Sequence, residues 1–340
     1  MSTAEQELVA ALPDNIVTLG AAIDPKYWHD WSGLAPVQPL ALVRPRSTRD
    51  VAIAMALCNR LRIPLVPQGG LTGLAGGAHP VAGGVAMSFE RMNGIEEIDT
   101  VMGTMTVLAG TRLAEIQEAA EAAGLYFPLD LGARGSCTIG GNLSTNAGGN
   151  RVIRYGMARD QVLGLEYVLA DGTIVGSLNK MIKNNAGYDL KQLFIGSEGT
   201  LGIITRAVLR LQAKPLSVAT AMCGLPDFAA VIRLLQTARA QLGPSLSAFE
   251  VMWPGFVDCM TAGLPALRKP FAHAHGVYVL VEASGFQEEG ASGQLEACLA
   301  GLLEQGVLSD AVVGASERDA RELWAIRDSV SEYSKVLGPI

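Results

Sequence analysis

Three glycine-dense loops carry the residue types best suited to binding a ligand through its phosphates. Of the 39 glycines in the 340-residue chain, 25 lie between Gly69 and Gly202. Glycine lets backbone amides approach an anion closely and adopts positive φ, so a run of glycines can form a cradle for phosphate. Three such loops predict a long ligand with a pyrophosphate in the middle, and FAD is the obvious candidate. Loop one covers 68–78, loop two covers 131–149 and loop three covers 195–205.

The spacing of these glycines excludes two common nucleotide-binding motifs. No two glycines are separated by a single residue, so the G-x-G-x-x-G fingerprint of a dinucleotide site is absent from the sequence. The phosphate loop that ends in glycine, lysine and serine or threonine is absent as well. The alternative interpretation is that the loops are only turns and bulges of a β-rich domain, but three small, polar loops without a proline break favour a ligand site.

The segments around the loops predict the elements that must position them. A strand, a helix and a second strand lead directly into loop one. This order predicts that the domain begins with an α/β arrangement. The helix has a capping box, Ser47 with Asp50 three residues later, followed by apolar residues at helical spacing. Asp171-Gly172 predicts a tight hairpin turn. The predicted strands are 40–43, 63–66, 85–88, 162–169, 173–175 and 203–211, and an alanine-rich helix covers 113–123.

From Ser217 onward the glycine content falls, and helices and strands alternate more regularly. This pattern predicts an α+β domain with an antiparallel sheet. Lys214-Pro215 marks the expected boundary, so we predict an N-terminal arm at 1–38, a ligand-binding domain at 39–215 and a second domain at 216–340. The strands predicted in the second domain are 218–223, 246–251, 277–282 and 310–313, and the helices are 227–242, 290–304 and 317–336.

Composition excludes several classes of function. A net charge of −7 argues against nucleic acid, which would require a basic face. No apolar run approaches the length of a transmembrane segment, and the first residues lack the basic start and apolar stretch of a signal peptide. The cysteines are scattered and form no C-x-x-C pair, which predicts small buried thiols in a reducing compartment and a cytoplasmic location. They are Cys58, Cys137, Cys223, Cys259 and Cys298.

Several motifs resemble those of the FAD-linked oxidase family, which has a flavin domain of the vanillyl-alcohol-oxidase or PCMH type. The chain is most similar to the branch acting on D-2-hydroxy acids: D-lactate dehydrogenase, the glycolate oxidase flavin subunit and D-2-hydroxyglutarate dehydrogenase. The matching segments follow the family's order, and they are Arg44–Val51, Pro67–Ala78, Thr138–Gly149, Tyr155-Gly156 and Gly196–Thr205.

The resemblance implies an α+β fold, with a two-part PCMH-type FAD-binding domain at 39–215. A substrate, or cap, domain with an antiparallel sheet would follow at 216–340 and would be incomplete at its C-terminus. Some relatives attach FAD covalently through a histidine at the position of Leu71, so the resemblance implies non-covalent FAD here. The implied pyrophosphate residues are Gln68, Gly69, Gly70, Leu71, Thr72 and Gly73; those along the flavin and ribityl chain are Thr138, Gly141, Asn142, Ser144, Thr145 and Asn146; those near adenine and ribose are Glu198, Gly199 and Ile204.

The same resemblance implies oxidation of a D-2-hydroxy acid to the 2-oxo acid, with hydride transfer to flavin N5. A guanidinium binds a carboxylate through two parallel hydrogen bonds, and the family register gives that role to Arg327, with Ser331 one turn further on. By spacing alone, Arg327 would instead be an exposed arginine paired with an acid such as Glu332. The histidine-rich segment that supplies the base and a metal site in relatives is absent from this sequence, so the catalytic base is not identified.

These observations leave two readings of function open. One is an FAD-dependent dehydrogenase that passes electrons to a quinone, an electron-transfer flavoprotein or another acceptor. The other is an FAD-binding fragment or subunit without turnover of its own. An incomplete second domain would expose apolar surface and favour a homo- or hetero-oligomer. His273 and His275 share a strand face, but no acid or cysteine accompanies them at ligand spacing, so no metal site is predicted.

Overall fold

The computed structural model describes residues 3–288 and 290–337. They form two compact units. The first contains the chain up to Gly148 together with Met157–Ala213, and the second combines Gly149–Gly156 with the chain from Lys214 onward. The predicted ranges 1–38 and 216–340 include residues 1, 2, 289 and 338–340, which lie outside the described residues.

The first sheet of the first unit mixes parallel and antiparallel strands in the order β1-β2-β4-β3. β2 and β3 both run parallel to β4, whereas β1 pairs with β2 in the antiparallel direction. The predicted capping box of the second helix is confirmed, since Ser47 and Asp50 exchange both hydrogen bonds. The predicted arm proves to contain a helix and a strand. The elements are α1 (Thr3–Ala11), β1 (Val17–Leu19), β2 (Ala41–Val43), α2 (Thr48–Leu61), β3 (Leu65–Gln68) and β4 (Val85–Ser88).

The second sheet of this unit is antiparallel, in the order β5-β6-β10-β8-β9. The predicted hairpin at Asp171-Gly172 is confirmed: Gly172 has φ +87°, and the Asp171 carboxylate accepts a hydrogen bond from the Thr173 amide at 2.8 Å. The elements are β5 (Ile95–Asp99), β6 (Thr104–Leu108), α3 (Leu113–Ala122), β7 (Leu125–Tyr126), α4 (Ile139–Ser144), β8 (Val162–Val168), β9 (Ile174–Ser177), α6 (Lys191–Phe194), β10 (Ile203–Arg210) and β11 (Gln212–Ala213); α5 (Val152–Tyr155) belongs to the second unit.

The second unit is built on an antiparallel sheet in the order β13-β14-β12-β15. The middle strand β14 is apolar on both faces, because Val279 and Val281 join one buried cluster while Tyr278 and Leu280 join another. The predicted α+β class with an antiparallel sheet is therefore confirmed. The elements are β12 (Ser217–Leu225), α7 (Phe228–Leu242), β13 (Leu246–Met252), α8 (Pro254–Gly263), β14 (Val277–Gly285), α9 (Gly290–Glu304), β15 (Asp310–Val313), α10 (Glu317–Asp328) and α11 (Tyr333–Leu337).

The single helix predicted over 317–336 is wrong in its second half. α10 ends at Asp328, a 3₁₀ turn covers Ser329–Glu332, and α11 follows. The Ser329 hydroxyl donates to the Ile326 carbonyl at 2.6 Å, the kind of local side-chain bond that competes with regular helix. None of the described helices combines the length and hydropathy needed to cross a bilayer.

Candidate cofactor site

A cavity of about 540 Å³ lies within the first unit, where the three glycine-dense loops meet. All of the residues predicted to bind the cofactor line it, except Asn146. The lining is almost uncharged: its described residues contain the carboxylate of Glu198 and no lysine, arginine or histidine. Backbone amides, hydroxyls and side-chain amides are therefore the groups that can hold a ligand in this cavity.

Loop one leaves the carboxyl end of β3 and packs directly against loop two. A Cβ added at Gly69 would lie 2.4 Å from the Thr138 hydroxyl oxygen, so any other residue would force the Thr138 side chain to move. Gln68 is fully buried, and its side-chain nitrogen donates to the carbonyl oxygens of Tyr27 and Ala78, each at 3.0 Å. Leu71, also in loop one, has a left-handed backbone conformation with φ +58°.

Asp30 and Trp31, in the segment before β2, hold loop one in place through hydrogen bonds. The buried Asp30 carboxylate accepts hydrogen bonds from the Ala78 amide at 3.3 Å and the Ser32 amide at 3.0 Å, and the Trp31 amide donates to the Leu71 carbonyl at 3.2 Å. Burial acts to raise the pKa of Asp30, but the hydrogen bonds from Ser32 and Ala78 outweigh it, and the pKa lies below its usual value. The ionised carboxylate therefore helps to fix the loop.

Loop two contains a short helix that the sequence does not predict, because glycine and serine are weak helix formers. This helix, α4, packs its glycine face closely: a Cβ at Gly140 would lie 2.8 Å from the Ala109 side chain. The hydroxyls of Ser144 and Thr145 donate back to carbonyls one turn earlier, at 2.7 Å and 3.0 Å. Burial raises the pKa of the cavity-lining Cys137 thiol, so this group remains protonated.

Loop three closes the cavity from the side of α4. The Gly196 amide donates to the Leu143 carbonyl and the Glu198 amide donates to the Ser144 carbonyl, both at 2.9 Å. A Cβ at Gly199 would lie 2.8 Å from the Pro67 ring, so loop three also contacts the strand that precedes loop one. The three loops thus form one continuous wall.

Each of the three loops holds one residue other than glycine in the left-handed backbone region. These residues are Leu71 at φ +58°, Asn146 at φ +48° and Glu198 at φ +52°. Such conformations are costly for side chains with a Cβ, and they persist where the surrounding structure fixes them, often around a ligand. Their presence in all three loops supports a built site rather than three unrelated turns.

Three buried polar atoms on the cavity wall test whether the residues suit FAD. Gln68 Oε1, Thr138 Oγ1 and Asn142 Oδ1 have no hydrogen-bond partner among the described residues. Buried polar groups are nearly always paired, so these atoms indicate a polar ligand. The Thr138 hydroxyl can donate to phosphate or flavin oxygens, and the two amide oxygens can accept from the hydroxyls or N–H groups of a dinucleotide. The wall therefore fits FAD.

Asn146 is the one predicted cofactor residue that lies away from the cavity wall. Its side-chain oxygen accepts a hydrogen bond from the Arg159 amide at 3.0 Å, and its side-chain nitrogen lies 3.7 Å from the sulfur of Met157. Both atoms are thus used within the protein, which the sequence does not reveal.

Of the residues predicted to bind the substrate, Arg327 lies in the last turn of α10 and Ser331 lies in the 3₁₀ turn that follows, both in the second unit. Arg327 Nε donates to Glu250 Oε2 at 2.7 Å, and Nη1 lies 3.6 Å from Asp328 Oδ1. Glu250 and Asp328 are thus two acids that the structure shows beside this arginine. The exposed Ser331 hydroxyl donates to the Asp328 carbonyl at 3.4 Å. His273 and His275 precede β14, and the described residues contain no group of acids, cysteines and histidines suited to a metal.

A buried ionic network in the second unit was missed at the sequence level. Glu282 on β14 is 2% exposed and accepts hydrogen bonds from Arg151 at 2.9 Å and 3.1 Å. The Ser247 hydroxyl and the Trp324 indole nitrogen donate to the same carboxylate, at 2.8 Å and 3.0 Å. The available signal was a single acid within an otherwise apolar strand, because such an acid must find partners.

Comparison with known proteins identifies related chains. D-2-hydroxyglutarate dehydrogenase of Bos taurus is 40% identical over 338 residues, which cover 96% of this chain and 60% of the relative. The protein of the same name from Xanthomonas citri is 40% identical over 309 residues, covering 90% of this chain and 64% of the relative. The chain thus spans about three fifths of the length of these relatives. The bovine, Arabidopsis thaliana and Rattus norvegicus relatives are named as mitochondrial, which contradicts the predicted cytoplasmic location.

The fold has a counterpart among solved structures. The structure of p-cresol methylhydroxylase with substrate bound has a TM-score of 0.75 and 17% identity, covering 94% of this chain and 68% of that chain. The FAD binding domain family matches residues 39–177, and the C-terminal domain family of FAD linked oxidases matches residues 214–339. FAD is accordingly the cofactor of this chain. The chain belongs to the FAD-linked oxidases, an oxidoreductase family with a PCMH-type flavin domain.

Proposed function

We propose that the chain acts in the FAD-dependent oxidation of a D-2-hydroxy acid to the 2-oxo acid, with D-2-hydroxyglutarate as the favoured substrate. The observation that carries this proposal is the 40% identity, over nearly the whole chain, to proteins named for that substrate. FAD, when bound, supplies the two-electron acceptor. The domain limits of 39–215 for the FAD-binding part and 216–340 for the cap part belong to the same proposal.

The cavity holds FAD without a covalent bond in this proposal. Leu71 stands where a histidine would be needed, and none of the chain's histidines is among the cavity-lining residues. Loop one would bind the pyrophosphate through its amides, α4 would run along the flavin and ribityl chain, and loop three would contact the adenine and ribose. The supporting feature is the shared wall of the three loops, with its unpaired Gln68, Thr138 and Asn142 oxygens.

Arg327 is the residue that we assign to the substrate carboxylate. Its Nε is committed to Glu250 and its Nη1 faces Asp328, whereas Nη2 has no hydrogen bond within the described chain. The guanidinium is thus oriented by two acids and keeps Nη2 as a donor for an incoming carboxylate. Ser331, one turn further along, is assigned as a second polar contact. No residue is assigned as the base, and a quinone, an electron-transfer flavoprotein or another acceptor would receive the electrons.

A substrate panel tests the proposal. The purified chain is loaded with FAD and assayed with an artificial electron acceptor, using D-2-hydroxyglutarate, L-2-hydroxyglutarate, D-lactate and glycolate. We expect 2-oxoglutarate to form from the D-enantiomer and turnover of the L-enantiomer to stay at background. Stoichiometric FAD with no turnover of any hydroxy acid would instead assign to this chain the role of an FAD-binding part without activity of its own.

A further inference from the structure

Asn146 belongs to a motif expected to bind the cofactor, yet it is not among the residues that line the cofactor cavity. Two hydrogen bonds, both donated by backbone amides, join the end of loop two to the segment before β8. The Asn146 side-chain oxygen accepts from the Arg159 amide at 3.0 Å, and the Ala158 amide donates to the Ala147 carbonyl at 2.8 Å. These bonds fix the left-handed backbone of Asn146, which has φ +48°.

The side chain of Arg159 continues from this point toward loop three. Its Nη1 donates to Gln192 Oε1 and its Nη2 donates to the Ile195 carbonyl, both at 3.0 Å. Both acceptors are neutral, so the charged guanidinium binds uncharged groups at and just before the start of loop three. A planar guanidinium suits this task, because it directs two donors along fixed and parallel lines.

Gly196 lies at the junction of the two residues. It has φ +85°, and a Cβ there would lie 3.3 Å from the Asn146 Cβ and 3.4 Å from Arg159 Nη2. From this junction the chain leads directly to Glu198 and Gly199, which line the cavity, whereas neither Asn146 nor Arg159 does. The pair can therefore affect a bound ligand only through the loops.

We infer that Asn146 and Arg159 are positioning residues that hold loop three against loop two and thereby set the shape of the FAD cavity. This assignment replaces the direct role in FAD binding expected for Asn146, and it adds a residue, Arg159, that no cofactor motif contains. It depends on FAD binding alone and not on the proposed substrate.

The test compares FAD dissociation constants for Arg159→Met, Asn146→Gly and the double variant. Methionine keeps the length of the side chain without its donors, and glycine keeps the left-handed backbone without the side-chain oxygen. We expect each single variant to raise the Kd for FAD about tenfold and to change the visible circular dichroism of bound FAD. Because the pair acts through one junction, the double variant should fall within about twofold of the weaker single variant.

The exposed Arg233 on α7 provides the matched control, since Arg233→Met removes the same group without touching a loop. Wild-type FAD affinity in Arg159→Met, with unchanged thermal stability of the apoprotein, would overturn the inference. Weakened binding in Asn146→Gly alone would also overturn it and restore Asn146 as a direct ligand.

If Arg159→Met does not fold, Gln192→Ala replaces it in the test, because this variant removes the acceptor of Arg159 Nη1. We expect a Kd about threefold higher, and an unchanged Kd would overturn the inference. A chain that binds FAD normally but oxidises no hydroxy acid would contradict the proposed function. The FAD dissociation constants of the variants would still test the role of Asn146 and Arg159.

Discussion

Gly70 and Ser136 lie so close together that any side chain at position 70 would collide with the backbone of loop two. A Cβ on residue 70 would lie 2.0 Å from the Ser136 carbonyl oxygen and 2.8 Å from the Cys137 Cα. Both partners are backbone atoms, which cannot rotate away. The contact explains why loop one needs glycine here, independently of any ligand.

Gly70→Ala should therefore destabilise the first unit by about 2 kcal/mol and abolish stoichiometric FAD binding, because the two loops must separate. Gly132→Ala is the matched control, since a Cβ at Gly132 meets no protein atom within 4 Å and this residue does not line the cavity. Chemical unfolding and the flavin content of the purified variants measure both effects. Equal stability of the two variants would show that the contact between the loops is not needed.

Thr138→Val should weaken FAD binding without weakening the protein. The Thr138 hydroxyl is buried and has no partner among the described residues, so its removal should leave the stability of the apoprotein unchanged or slightly higher. If the hydroxyl bonds to FAD, the Kd should rise about tenfold, equivalent to roughly 1.4 kcal/mol. Thr145→Val is the comparison, since the Thr145 hydroxyl already donates to the Gly141 carbonyl. A larger loss of affinity in Thr145→Val would contradict this account of the cavity wall.

Acid should release FAD through Asp30. The pKa of this carboxyl is lowered in the folded protein, despite its burial, by hydrogen bonds from Ser32 and Ala78. Its contribution to stability is therefore present above the unfolded pKa and is lost as the pH falls through the folded pKa, below about 4. The release of FAD is measured by flavin fluorescence as the pH is lowered from about 7 to about 3. In Asp30→Asn the acid-dependent step should shrink, and an unchanged step would assign the effect to another group.

Arg327→Ala should reduce affinity for the hydroxy acid and leave FAD binding intact. Losing a charge-assisted pair to a carboxylate is expected to raise the substrate Kd about 10- to 100-fold. Arg318 on the same helix is mostly exposed and pairs with Glu322, so Arg318→Ala is a suitable control. Anaerobic equilibrium titration measures both constants. Unchanged substrate affinity in Arg327→Ala would remove this residue from the proposed substrate site.

Local patterns in the sequence predicted the elements whose causes are local. The Ser47–Asp50 capping box and the Asp171-Gly172 turn each depend on residues only a few positions apart. The helix α4 was not predicted, because its glycines favour coil in isolation and it forms where Gly140 can pack on Ala109. The pairing of Arg151 with Glu282 joins residues far apart in sequence, and no local pattern can reveal it.

The candidate site shows the same division between local and distant causes. Glycine content predicted the cavity, since close approach of the loops requires residues without side chains. The direction of the Asn146 side chain was not predictable, because it depends on Arg159, which reaches the same place from another part of the fold.

The most direct measurement is the visible absorption spectrum of the FAD-loaded chain before and after anaerobic addition of D-2-hydroxyglutarate. We predict a flavin spectrum that bleaches with the D-enantiomer and persists with the L-enantiomer, with one equivalent of 2-oxoglutarate formed for each flavin. A flavin spectrum that stays yellow with the D-enantiomer would contradict the proposed oxidation, and a purified chain that binds no flavin would contradict the account of the three loops.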